Sequence, residues 1–182
     1  MADAEIVWAG RYIEARREGT WEYVGRANDI HAAVIVAVDD APSGNAQDRH
    51  VILIDQPRVP LGGRCLELPA GLVGDIDAGE TIEASAAREL EEETGYRAGR
   101  IEVVGRFASS PGMVSETFTL VRAHELTRVG EGGGDANEDI VVHRVRLDEV
   151  PAFVAQKRAE GMFVDVKLLL LLAGDILESL SR

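Results

Sequence analysis

Apolar positions recur with two spacings along this chain, and the alternation between them predicts its elements. Near the N-terminus, Ile6-Val7-Trp8 and Arg11 to Ala15 lead to a turn at Glu18-Gly19, and Thr20-Trp21-Glu22-Tyr23-Val24 then alternates with period two. Residues 5–27 therefore read as a β-hairpin. A lone two-stranded element is marginal in water, so it must pack on something, and a second copy of the chain is one candidate. His31 to Val38 is nearly continuous in apolar residues and suits a central strand buried on both faces, with His31 as a polar edge residue. The polar stretch 39–49 reads as a surface loop and His50 to Asp55 as a second core strand. Residues 56–63, with two prolines and two glycines, read as a loop, and Leu66 to Pro69 as a short strand.

The period then changes to that of a helix. Thr81 can cap its start, with Glu80 and Glu83 near the positive end, and Gly95 sits where it would stop. Ala84, Ala87, Leu90 and the stem of Arg88 are expected to face inward, and Glu91 to point into solvent. Glu89, Glu92 and Glu93 are spaced i, i+3 and i+4, so they share one helix face. Three carboxylates on one face repel one another unless something positive sits among them. An oxygen-rich cluster of this kind suits a hard divalent cation such as Mg²⁺ or Mn²⁺.

Strands are predicted again at Ile101 to Ala108, Glu116 to Ala123 and Ile140 to Val145, the last preceded by a glycine-rich loop over 130–137. Helical spacing returns at Asp148 to Ala159 and Asp165 to Leu180. In the final helix Val166, Leu169, Leu170, Ala173, Ile176, Leu177 and Leu180 are expected to face the core. Strands with interspersed helices predict an α/β/α sandwich around a mixed sheet.

Composition narrows the partners. The chain has 182 residues, 46% of them hydrophobic, which is enough for one well-cored domain with a small extension. A net charge of −13 argues against a nucleic-acid backbone as partner, and any anionic substrate needs locally placed arginines or a metal. Cys65 is the only cysteine, so no intramolecular disulfide can form, and beside glycines it reads as a small buried hydrophobe. The chain opens on no basic-then-apolar leader, and its longest apolar run, Leu168 to Ala173, is too short for a membrane span. A soluble cytoplasmic protein is expected.

The helix carries a more specific signal. Gly74, Glu80, Arg88-Glu89-Leu90, Glu92-Glu93 and Gly95-Tyr96 stand at fixed spacing over 23 residues. This frame resembles the Nudix box, the signature of the Nudix hydrolases. The resemblance implies a Nudix-type α/β/α sandwich over residues 29–182, preceded by an N-terminal β-hairpin extension over 1–28 that serves dimerisation. It also implies metal-dependent cleavage of a diphosphate linked to another moiety. Gln56-Pro57-Arg58, Leu66-Glu67-Leu68-Pro69-Ala70-Gly71, Pro111 fifteen positions beyond Tyr96, and Trp21 with Arg26 are similar to the ADP-ribose pyrophosphatases. So are Asn137-Glu138-Asp139-Ile140 and Asp165-x-Lys167.

Within that subfamily, the resemblance implies that Glu89, Glu93, Glu92 and the carbonyl of Ala70 hold Mg²⁺ or Mn²⁺. Arg88 orients the glutamates and Glu138 is the base. Arg58 and Glu67 line the site near the diphosphate and ribose, with Pro111 and Gly112 on the substrate side. Trp21 stacks on adenine, and Arg26 reaches the substrate, in this family often from the partner subunit. The implied reaction is hydrolysis of ADP-ribose or a related ADP-sugar to AMP and a sugar phosphate by a homodimer. The alternatives are GDP-mannose, another sugar nucleotide or an oxidised nucleoside diphosphate as substrate, or a non-catalytic nucleotide-sensing module. The chain departs from the subfamily twice. The loop around Gly74-Asp75-Ile76 is three residues longer, expected as a bulge into solvent, and Ala136 stands where some relatives carry a second loop glutamate, with Asp135 a weak substitute.

Overall fold

A computed structural model describes residues 4–27, 30–39, 48–74, 79–134 and 138–179, with side chains as far as residue 174. In chain order the strands are β1 (Glu5–Ala9), β2 (Ile13–Glu18), β3 (Trp21–Arg26), β4 (His31–Asp39), β5 (His50–Arg58), β6 (Gly63–Glu67) and β7 (Ala70–Val73). Helix α1 (Ile82–Thr94) follows, then β8 (Tyr96–Arg97), β9 (Arg100–Ala108), β10 (Thr117–His124), β11 (Thr127–Arg128) and β12 (Val141–Arg146). Helix α2 (Val150–Ala159), β13 (Phe163–Val164) and α3 (Leu169–Ser179) complete the chain.

The central sheet runs β13-β6-β5-β4-β10-β9, with β12 added to β5 and β7 to β4. It is mixed: β10 pairs with β4 in parallel and β13 with β6 in parallel, while the remaining pairs are antiparallel. Period-two alternation along its strands feeds two cores. Ala33, Ile35 and Ala37 of β4, Ile52 of β5, and Val121 and Ala123 of β10 pack on one face with Ala86 and Leu90 of α1. Val34 of β4, Val51 and Leu53 of β5, and Leu120 of β10 pack on the other face with Val150 and Val154 of α2 and with Leu168. Both faces of the sheet are thus covered by helix, as the apolar run at His31 to Val38 predicts.

Helix α1 is capped at both ends as its sequence indicates. Thr81 Oγ1 accepts from the Ala84 N–H at 3.2 Å. Gly95 takes the left-handed conformation at φ +72° and its N–H donates to the Glu91 carbonyl at 2.9 Å. The buried side is turned from the expected one. Ser85 and Ala86 lie inward beside Leu90, whereas Ala84 is exposed. Ser85 Oγ donates to the Leu72 carbonyl at 3.1 Å, which pins the helix to β7. Glu91 is not simply solvated, because Arg97 grips it with two hydrogen bonds of 2.8 Å.

Three other expectations change. The N-terminal hairpin is a three-stranded antiparallel sheet, β1-β2-β3, with a bulge between Ile6 and Trp8. Strand β5 runs on through Gln56 and Pro57 to Arg58 rather than ending at Asp55, because β6 pairs with it there. The last helix also faces differently. Leu168 is fully buried and Leu171 and Leu172 pack against the core, while Val166, Leu169, Leu170 and Ala173 are exposed. The expected inward positions Ile176, Leu177 and Leu180 lie outside the described side chains.

The corrected helix face generates a stability prediction. Leu168→Ala should cost roughly 2–5 kcal/mol, as for a fully buried leucine, while Leu170→Ala should cost well under about 1 kcal/mol. Urea titrations of the two variants check this, and equal losses would restore the original face.

Candidate active site

The cleft is built where α1 meets β7. Its volume is about 640 Å³, and it is walled by Arg58 of β5, Glu67 of β6, Ala70 and Gly71 of β7, and Glu89 and Glu93 of α1. Arg26, Glu116, Glu138, Asp165 and Lys167 close its other sides. That size and mixed lining suit a small anionic ligand. Sequence-distant segments converge here because each is tied to the central sheet. The turn after β13 is held by the Asp165 N–H, which donates to the Leu66 carbonyl at 2.9 Å. The N-terminal sheet docks through Val24, whose N–H donates to the Met113 carbonyl and whose carbonyl accepts from the Ser115 N–H, each at 2.9 Å.

Six carboxylates line the cleft against three cations, Arg26, Arg58 and Lys167. Each cation is matched to one of them. Arg58 holds Glu67 with two parallel bonds of 2.7 Å. Arg26 contacts Glu116 at 2.6 Å, and Lys167 Nζ meets Asp165 at 2.6 Å. The negative charge in excess of these pairs therefore resides on Glu89, Glu93 and Glu138. Arg88 moderates it from the flank. Its Nη1 lies 2.9 Å from Glu89 and 3.0 Å from Glu92, while its other nitrogens donate to Glu80 at 3.2 and 3.3 Å.

Glu93 is the most constrained of the three. It is 5% exposed, and Oε2 accepts from the Ala70 N–H at 3.0 Å. Burial pushes its carboxyl up to about 8; the Ala70 hydrogen bond opposes that, and the charges of Glu89 and Glu138 add to it. Glu89 lies directly over Gly71, where an added Cβ would come within 2.0 Å of the Glu89 side chain. Glycine is therefore required for the carboxylate to lie across β7. Among the described residues, no three histidine, cysteine, aspartate or glutamate side chains already converge closely enough to hold an ion. The chemistry of the set nevertheless fits one, since Glu89, Glu93 and Glu138 are hard oxygen donors facing one cleft in like-charge conflict.

The other predicted residues are placed as follows. Glu92 does not line the cleft and is held by Arg88. Arg26 reaches the cleft of its own chain. Trp21 is 62% exposed and sits with Pro111 and Gly112 in a separate hollow that is bounded by Ser115, next in sequence to Glu116 of the cleft. The lengthened loop beyond Gly74, and residues 135–137, lie outside the described residues. Cys65 is buried, and burial, followed by the nearby Glu67 charge, pushes its thiol up to about 12, so it is no nucleophile. Sequence reasoning brought Arg26 to the substrate but missed its pairing with Glu116, and it noted Asp165 and Lys167 without placing them in the cleft.

A NUDIX domain family model matches residues 29–165. The chain is 33% identical to ADP-ribose pyrophosphatase of Bacillus subtilis over 160 residues, 84% of this chain and 81% of that protein. It is 34% identical to GDP-mannose pyrophosphatase of Cronobacter sakazakii over 136 residues, 70% of this chain and 67% of that protein. A crystal structure of an ADP compounds hydrolase superposes with a TM-score of 0.65 at 23% identity, covering 98% of this chain and 94% of that one, a likeness of fold.

Two outcomes follow from the site geometry. Gly71→Ala should fold but displace Glu89, lowering divalent-cation affinity about tenfold or more; unchanged affinity would show that Glu89 does not lie in the ion's shell. Separately, the raised carboxyl of Glu93 favours its protonated form in the folded state. In chelator-treated protein, that stabilisation is complete below the unfolded carboxylate value near 4.3 and is lost as pH rises through about 8. Thermal melts from pH 5 to 8 in EDTA should therefore decline, and Glu93→Gln should flatten the decline; an identical slope in the variant would refute the assignment.

Proposed function

The chain belongs to the Nudix hydrolase family, and from that membership we propose that it hydrolyses the diphosphate of ADP-ribose or a related ADP-sugar. The products are AMP and a sugar phosphate. The observation that carries this reading is the union, in one cleft, of the Glu89/Glu93/Glu138 carboxylates with Arg26, Arg58 and Lys167. The similarity to an ADP-ribose pyrophosphatase over four-fifths of both chains supports the substrate class.

Glu89 and Glu93, with the Ala70 carbonyl as a further donor, are the residues that would hold Mg²⁺ or Mn²⁺; Glu92, held by Arg88 outside the cleft, would join them only by turning inward. The ion supplies neutralisation of the diphosphate and Lewis-acid activation of water. Arg88 keeps the glutamates aimed through charge-assisted bonds. Glu138 accepts the proton of the attacking water, a contribution of roughly 10²–10⁴-fold in rate. Arg58, steadied by Glu67, and Arg26 receive the diphosphate and ribose. The adenine stacks on Trp21 in the hollow formed with Pro111 and Gly112, worth about 1–3 kcal/mol.

The protein acts as a homodimer in the cytoplasm. Support for the dimer comes from the N-terminal sheet, where β1 is exposed along its whole length and Ile6, Val7, Trp8 and Tyr12 present apolar surface to solvent. The single buried cysteine suits a reducing compartment. Among the described residues, no helix is long and apolar enough to cross a membrane.

The test is release of AMP and phosphosugar with Mg²⁺ across ADP-ribose, ADP-glucose, GDP-mannose and 8-oxo-dGDP. A kcat/KM for ADP-ribose at least about tenfold above the others is expected. Preference for GDP-mannose, the substrate named for the Cronobacter relative, would keep the chemistry and overturn the substrate. Binding without cleavage of any would favour a sensor. Glu138→Gln should lower kcat by roughly 10²-fold or more while sparing cation affinity. A kcat within a few-fold of wild type would move the base elsewhere.

A further inference from the structure

Glu138 is fastened on both sides. Upstream, the Gly133 N–H donates to the Glu93 carbonyl at 2.8 Å and the Gly134 N–H to the Glu92 carbonyl at 3.1 Å. That segment is thereby laid along the C-terminal turn of α1. The approach is so close that a Cβ on Gly134 would come within 2.1 Å of Glu138 Oε2. Downstream, the neighbouring residue Asp139 is held by Arg64 of β6, the strand that flanks β5 opposite the start of β12. Arg64 Nη1 donates to Asp139 Oδ2 at 2.6 Å, and Nη2 donates to the Asp139 carbonyl at 2.9 Å.

Arg64 is itself fixed from behind. Its Nε donates to Asp55 Oδ1, and Nη2 also donates to the Asp55 carbonyl at 2.9 Å. The Asp55 side chain is 3% exposed, and its second oxygen lies 2.6 Å from His143 Nε2. The His143 ring packs 5.2 Å from that of Phe153. One rigid guanidinium thus bridges a buried aspartate in the sheet to a side chain and a carbonyl of the segment that carries Glu138. Arg64 does not line the cleft, and the Asp139 side chain is 70% exposed, so this outer pair adds little to stability. What the fork does supply is register, since it fixes both the side chain and the backbone of Asp139.

We propose that Arg64 is a positioning residue. Anchored on Asp55, it holds Asp139 and through it sets the Glu138 carboxylate against Glu93 in the cleft. This rests on the reading of Glu138 as the base. Displacement of a reacting group by about 1 Å can cost about 10²-fold, so a loosened anchor should register in turnover rather than in binding.

The experiment is a double-mutant cycle with hydrogen exchange alongside it. Arg64→Ala and Arg64→Lys should lower kcat about tenfold or more and leave KM and cation affinity within about threefold. Asp139→Ala, which keeps the carbonyl contact and leaves Asp55 paired, should give a smaller loss and guards against misfolding of the Arg64 variants. In a Glu138→Gln background the Arg64 and Asp139 losses should vanish. Amide exchange at residues 138–140 should quicken in the Arg64 and Asp139 variants alike, whatever the substrate proves to be. The inference is overturned if Arg64 variants keep kcat within twofold of wild type, if their losses persist in full on Glu138→Gln, or if exchange is unchanged. A wild type that cleaves no sugar nucleotide would sink the functional reading instead, and the exchange result would still decide whether Arg64 holds the segment.

Discussion

The structure turns on a carboxylate buried where a helix meets a sheet. Glu93 lies under the edge of β7 with one oxygen on the Ala70 N–H, yet the charges of Glu89 and Glu138 act against it and Arg58, committed to Glu67, offsets them only in part. An ionised group in that position is costly unless something cationic enters. Much of the local architecture serves to impose this arrangement. Alanines at 33, 37 and 86 and the bare Gly71 bring α1 close to the sheet, and the Ser85 hydroxyl fixes the helix to Leu72. The helix cannot slide outward to relieve Glu93 without opening that core.

The same constraint accounts for how a chain of charge −13 can receive an anion. Its cleft cations are matched internally, Arg26 with Glu116, Arg58 with Glu67 and Lys167 with Asp165, so they are pre-aimed before a ligand arrives. Pairing of this kind lowers the entropy lost on binding at the cost of some attraction. A divalent cation, if bound among the remaining carboxylates, would reverse the local field there. The N-terminal sheet has a part in this, because the anchoring of Val24 on the 113–115 segment is what brings Arg26 to Glu116.

The acidic helix and its caps were legible because i, i+3, i+4 spacing and a Thr…Gly bracket are local signals, and the two-sided sheet was legible in the unbroken apolar run of β4. The last helix was misphased because Leu168 to Leu172 is apolar at every position, leaving no polar stripe to set the rotation. Strand β5 outruns its hydrophobic pattern because β6 returns alongside it and supplies partners as far as Arg58. The third N-terminal strand was hidden in short, bulged β1. Arg64 and Asp139 are separated by 75 residues, and nothing around either one indicates that they meet. Long-range ion pairs of this sort are a product of topology and leave no periodic trace.

The most direct test is Mn²⁺ binding to the substrate-free protein, followed by electron paramagnetic resonance, for wild type and Glu93→Gln. Saturable binding by the wild type that weakens at least about tenfold in the variant, with its fold and melting behaviour retained, is the predicted result. Equal binding by the two proteins, or none by the wild type, would contradict the view that this buried carboxylate is the seat of the cation.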